Sequence, residues 1–148
     1  MMSAIAGSRD NNIAKTFPAE LDQLYNMLRF VKENAFAFGV NSDDAIKVEL
    51  AMEEALVNII TYGYPEDQKG TIEILCAPVK KTGMQILIKD HGIPYNPLAN
   101  ANKLLTNTPS GGQILGGYGI YFILKIMDEV NYHRERDCNC LTLIKYTT

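Results

Sequence analysis

The sequence predicts an α+β domain in two layers, with helices packed on one face of a mostly antiparallel sheet. Three observations carry this. From Ala19 to Tyr62 apolar residues recur at the three-and-four spacing of helices. From Thr71 the pattern changes to short β-rich runs separated by turn residues. A single helical stretch, containing Ile120, Ile123, Leu124 and Met127, divides these runs into two pairs.

Residues 1–10 are polar and read as a flexible N-terminus, so the domain is expected over 11–148. A short strand fits Ile13 to Phe17, just before Pro18. The first helix runs from Ala19 to about Phe36, with Leu21, Leu24, Leu28, Val31 and Ala35 on one face and Gly39 past its end. A second opens at Asn41 or Ser42, either of which can cap it, and continues to about Tyr62 before Gly63 and Pro65 close it. Its many apolar positions, Ile46 and Leu50 among them, predict burial on most sides. Thr71 to Ala77 and Met84 to Lys89 form a hairpin through Lys80-Lys81-Thr82-Gly83. A polar stretch from Asn96 to Gly117 reads as a long loop, of a length that is usually functional or disordered. After the third helix, Glu129 to Arg134 and Leu141 to Tyr146 make a second hairpin.

Length and composition limit what such a domain does. The 148 residues fit one core, and 47% hydrophobic with 21% charged residues is the composition of a soluble globular protein. A net charge of −3 without a basic stripe argues against nucleic-acid binding. No apolar run reaches the roughly 18 residues of a membrane span, and the N-terminus lacks the layout of a signal peptide. Three cysteines, an odd number, point to a reducing cytoplasm. Cys138-Asn139-Cys140 has neither metal-ligand spacing nor a second half, and reads as strand.

Three places depart from a plain α+β pattern. In the second helix Glu54 and Asn58 lie roughly 40° apart on one strip. After the Ile-Leu-Ile strand, Asp90-His91-Gly92-Ile93-Pro94 makes a rigid turn that can aim a carboxylate into a cleft beside the sheet. Gly116, Gly117 and Gly119 sit where a helix begins, and its free N–H groups are a seat for phosphate oxygens. Each alone has a plainer reading: a solvent face, a strand-ending turn, a glycine hinge. Neither the P-loop nor the dinucleotide fingerprint fits, because Gly116 is followed by Gly117-Tyr118, and no third glycine stands at Phe122.

Taken in order, Glu-x-x-x-Asn in a helix, Asp-x-Gly-x-Pro after a strand and Gly-x-Gly before a helix resemble the GHKL ATPase superfamily with its Bergerat fold. The stretches DHGIPYNPL and GGYGIYFILKIMDEVNYHRERDCNCLTLIKY are similar to the bacterial anti-sigma regulatory factors that are serine/threonine protein kinases. The resemblance runs from FPAELDQL to the C-terminus.

It implies ATP and Mg2+ as cofactors, with Asn58 a magnesium ligand and Glu54 the base that activates the attacking hydroxyl. It implies that Asp90 accepts the adenine amino group, that Gly92 lets the base approach, that Thr142 contributes through its hydroxyl or a water, and that Gly117 and Gly119 offer N–H groups to the phosphates. Glu53 is then a surface charge. The loop from about Asn100 to Gly117 is expected to close as a lid. The implied partners are a sigma factor and a STAS-type antagonist, the family function being to sequester the first and phosphorylate the second; the resemblance also admits a homodimer. A rival of another class, a module that binds ATP and performs no chemistry, rests on Lys103 being the one cation between Pro97 and Gly117, where the chain reads Ser110-Gly111-Gly112-Gln113. A histidine-kinase fragment fits less well, since His91 and His133 are the only histidines and both sit in or beside strands.

Overall fold

The computed structural model describes residues 12–147 except 66, 69, 80–81 and 100–116. The flexible segment expected over 1–10 and the expected lid, up to Gly117, lie outside the described residues. Five strands, β1 (Ile13–Pro18), β2 (Thr71–Pro78), β3 (Gly83–Asp90), β4 (Glu129–Glu135) and β5 (Cys138–Tyr146), form one sheet in the order β1-β2-β3-β5-β4. Every pairing is antiparallel. Three helices, α1 (Leu24–Ala37), α2 (Ser42–Asn58) and α3 (Gly117–Ile126), cover one face of it. This is the two-layer α+β sandwich that the sequence predicts.

Local chemistry sets the ends of the first two helices. α1 stops where Gly39 takes φ 84°, and the N–H groups of Gly39 and Val40 return to the carbonyls of Phe36 and Ala35 at 3.1 and 2.9 Å. Two carbonyls left over at a helix end are satisfied this way. α2 starts at Asn41, whose Oδ1 accepts from the Asp44 N–H at 2.8 Å, with Asp43 and Asp44 placed at the positive end of the helix.

The strand period decides which residues meet the helices. In β2 and β3 the buried positions Ile72, Ile74 and Cys76 pair with Asp90, Ile88 and Ile86, and β5 adds Leu141 and Leu143 opposite Ile88 and Ile86. These side chains pack with Met27 and Val31 of α1, Met52 and Leu56 of α2, and Ile120 and Ile123 of α3. Asp90 is the polar member of this inward row.

Two expectations need correction. Ile46 and Leu50 are 54% and 52% exposed, so α2 is not buried on most sides. It lies between α1 and α3 with the sheet beneath, which leaves its outer face to solvent. Its end also differs from a plain helix: after Asn58 a π-helical turn, Ile59–Gly63, replaces the last α turn. β5 runs unbroken from Cys138, joining the stretch Cys138-Asn139-Cys140, read as strand, to the run that begins at Leu141.

The exposure pattern separates two substitutions on α2. Leu56→Ala, at a fully buried side chain, is expected to lower the unfolding free energy by about 2–5 kcal/mol. Leu50→Ala is expected to change it by only about 0.5 kcal/mol. Urea denaturation of both variants checks this, and equal losses would place the outer face of α2 in the core.

Candidate functional site

Asn58 and Asp90, from two of the three departures seen in the sequence, line one cleft. It encloses about 460 Å³, open mouth included, between the C-terminal part of α2, the end of β3, α3 and β5. Ala55, Ile59, Ile123 and Leu141 make apolar walls, with Tyr95 and Pro97 on the side of the turn after β3. The polar groups that reach it include Asn58, Asp90 and Asn139. A mostly apolar slot with a few placed polar groups is the usual form of a small-molecule site.

Asp90 is 4% exposed and its Oδ1 is held from two sides. The Gly92 N–H donates to it at 2.9 Å and the Asn139 amide at 3.0 Å. Both bonds fall on Oδ1, so Oδ2 is the oxygen available to a ligand. Asn139 is itself satisfied at every position of its amide. It donates also to the Ile93 carbonyl at 2.8 Å, while its oxygen accepts from the Tyr132 hydroxyl at 2.5 Å and the Tyr95 N–H at 3.4 Å. A buried amide bonded in this way fixes the carboxylate beside it.

The turn after β3 is pressed against the end of α2. Ile93 N–H donates to the Gly63 carbonyl at 2.9 Å. A Cβ on Gly92 would lie 2.2 Å from that same carbonyl oxygen and 3.1 Å from Asp90 Oδ1, so only glycine fits between them. Two side chains brace the contact from outside. The Tyr64 hydroxyl accepts from the His91 N–H and donates to the Thr71 carbonyl, each at 2.7 Å, and burial pushes its pKa above that of an ordinary tyrosine. Arg134 donates to the Gly92 carbonyl at 3.0 Å.

On the opposite side, the first turn of α3 lies on the Glu54 and Asn58 strip. A Cβ on Gly119 would sit 2.6 Å from Glu54 Oε1 and 3.6 Å from Asn58 Nδ2. Gly117 opens this helix, whose first N–H groups have no partner within it. Glu54 is exposed and Asn58 half-buried, one turn closer to Asp90. The glycine start of α3, the carboxylate and the amide are therefore brought together.

Thr142 is not. It pairs with Leu87, whereas its neighbour Leu141 pairs with Ile88 on the helix side, so Thr142 lies on the open face of the sheet, away from Asp90. The residue on β5 that reaches the carboxylate is Asn139. Asn139 reads as strand in the sequence but stands out by no motif, although counting back two by two from Leu143 through Leu141 puts it on their face of the sheet. Tyr132, opposite Leu141 on β4, follows from the same count.

The model of the histidine kinase-like ATPase domain matches residues 17–145. The serine-protein kinase RsbW of Staphylococcus epidermidis is 25% identical over 143 residues, covering 94% of this chain and 89% of that protein. RsbW of Staphylococcus aureus is 22% identical over the same length. The anti-sigma F factor of Anoxybacillus flavithermus is 28% identical over 108 residues, 72% of each chain. The chain belongs to the family of histidine kinase-like ATPase domains.

The two close glycine contacts differ in what they press on. In Gly92→Ala the new methyl meets main chain, and a loss of about 1–3 kcal/mol is expected. In Gly119→Ala it meets the free end of an exposed side chain that can swing aside, and a change within about 0.5 kcal/mol is expected. Denaturant melts compare them directly; equal destabilisation would mean that Glu54 is held as rigidly as the backbone of Gly63.

Proposed function

We propose that this chain is an ATP-dependent serine/threonine protein kinase that acts in the cytoplasm, holds a sigma factor inactive and phosphorylates a STAS-type antagonist of that hold. The observation that carries the reading is that Asp90 and Asn58 line one cleft while the start of α3 packs on Asn58 and its neighbour Glu54. The similarity to two serine-protein kinases and an anti-sigma factor supports it.

The cleft suits ATP group by group. A planar base enters between the apolar walls, and Asp90 Oδ2 accepts a proton of its amino group. Gly92, without a side chain, keeps that approach open. The phosphates lie toward α3, where the N–H groups at Gly117 and Gly119 face negative charge. Magnesium takes oxygen ligands and keeps few protein groups among them, so the amide oxygen of Asn58, half-buried in the cleft, fits as one ligand beside the phosphates. When bound, the ion neutralises charge that develops on the transferring phosphoryl group.

Glu54 lies one turn further out, exposed, where a protein hydroxyl can reach it. In the transfer, the serine or threonine oxygen bonds to the γ-phosphorus while the bond to the bridging oxygen breaks. The hydroxyl proton passes to Glu54 and ADP leaves. Thr142, on the far face of the sheet, has no part in this.

Three variants separate the roles. Asp90→Asn is expected to lose nucleotide affinity, since an amide can set a donor against the adenine amino group at a cost of about 1–3 kcal/mol. Asn58→Ala is expected to weaken binding that depends on magnesium. Glu54→Gln should bind ATP normally yet transfer phosphate roughly a hundredfold to ten-thousandfold more slowly. Calorimetry with ATP, alongside radiolabel transfer to a cognate STAS protein, measures all three. Equal transfer by wild type and Glu54→Gln would remove the base role. A wild type that binds ATP tightly but transfers none would make the chain a switch without chemistry.

A further inference from the structure

The open face of the sheet, away from the helices and the cleft, carries a second cluster of reactive side chains. β4 and β5 are joined by the two-residue turn Arg136-Asp137, and their register sets His133 opposite Cys140 and Glu135 opposite Cys138. A ring nitrogen of His133, a carboxylate oxygen of Glu135 and the Cys140 thiol all lie within 4.8 Å of one another. The sulfurs of Cys138 and Cys140 are 3.7 Å apart, and both cysteines are free. The sequence spacing of the two cysteines is not that of common zinc motifs, but the hairpin sets an imidazole and a carboxylate beside them.

We propose that His133, Glu135, Cys138 and Cys140 bind a zinc ion. Zinc takes sulfur, nitrogen and carboxylate ligands in a tetrahedron, and with Zn–S bonds of about 2.3 Å two thiolates stand about 3.8 Å apart, close to the spacing found here. The donor set is too soft for magnesium or calcium and suits a borderline transition metal. His133 and Glu135 now face each other at 3.6 Å with 60% and 68% of their side chains exposed, so small rotations at the surface bring both to the ion. Charge also fits. Two thiolates and a carboxylate exceed the dication by one negative charge, and Lys89, paired with Cys140 on β3, lies close enough to favour its thiolate. Without metal, burial and the neighbouring Cys138 push the Cys140 thiol up to about 11, so binding forms two Zn–S bonds and releases two thiol protons to solvent. Between the two cysteines, Asn139 points the other way and holds Asp90. A bound ion therefore braces the strand behind the cleft.

The test uses the full chain, reduced and freed of metal with a chelator, and titrated with Co2+ and then Zn2+ alone, without nucleotide. One equivalent of Co2+ is expected to give thiolate charge-transfer absorption and the visible bands of a tetrahedral site, both lost on adding Zn2+. Cys76 is fully buried on the helix face, so the thiolate signal reports Cys138 and Cys140. His133→Ala and Glu135→Gln change exposed side chains and keep the fold; each is expected to weaken zinc binding about tenfold or more. Absence of the thiolate band in the reduced protein overturns the proposal. So does zinc affinity unchanged in both surface variants, which would leave only a thiol pair.

Discussion

The cleft depends on one buried carboxylate oxygen. Asp90 sits in a row of isoleucines facing the helices, where a charge without partners would be costly. Its Oδ1 is held by the Gly92 N–H and by the amide of Asn139, and each partner belongs to a different element. Through Gly92 the carboxylate fixes the turn after β3. Through Asn139 it fixes β5, and Tyr132 on β4 completes the chain of bonds. Asp90 borders a cavity with mostly apolar walls, where a hydrogen bond from a ligand to the remaining oxygen meets little competition from water.

Close backbone approach makes this arrangement compatible with packing. Gly92 allows the turn to touch the carbonyl of Gly63, and the π-helical turn over Ile59–Gly63 places that carbonyl beyond the last regular turn of α2. π-turns inside or at the end of α-helices recur at functional sites because they shift side chains without ending the helix. Gly119 does the same service on the far side, letting α3 settle against Glu54 and Asn58. The backbone contact of Gly92 with Gly63 ties the turn after β3 to the end of the α2 segment, while Gly119 lets α3 come close to Glu54 and Asn58.

Much of this was legible in the chain, and the rest was not for identifiable reasons. Helical spacing located α1, α2 and α3, and the period change at Thr71 located the sheet, because burial on one face leaves a periodic trace. Glu54, Asn58, Asp90, Gly92 and Gly119 stood out because they break that trace. The exposure of Ile46 and Leu50 could not be read, since periodicity reports apolar character and not what covers it. The π-turn has no side-chain signature. The role given to Thr142 came with the resemblance, which does not fix the face of a strand residue; only the register with Leu87 puts it away from Asp90, and the same register picks out Asn139. Cys138 and Cys140 looked like half of nothing because their cross-strand partners, His133 and Glu135, become neighbours only after the hairpin closes.

The same alternation ties the two faces of β5 to each other. Asn139 is directed at Asp90 while the residues on either side, Cys138 and Cys140, are directed at His133 and Glu135. A backbone shift of this three-residue segment carries all three Cβ atoms with it, since each lies a single peptide from the next. Anything that anchors the cysteines therefore restrains the amide, and through it the carboxylate oxygen left for a ligand. Tyr132 strengthens the tie, because it bonds Asn139 from the strand that also carries His133 on its opposite face. The hairpin is a rigid lever only insofar as its two-residue turn holds, and there Arg136 adopts a positive φ of 59°, a conformation non-glycine residues take at some cost. That cost sits at the tip, outside both clusters, where a tight connection keeps β4 and β5 in register and so keeps both faces aligned.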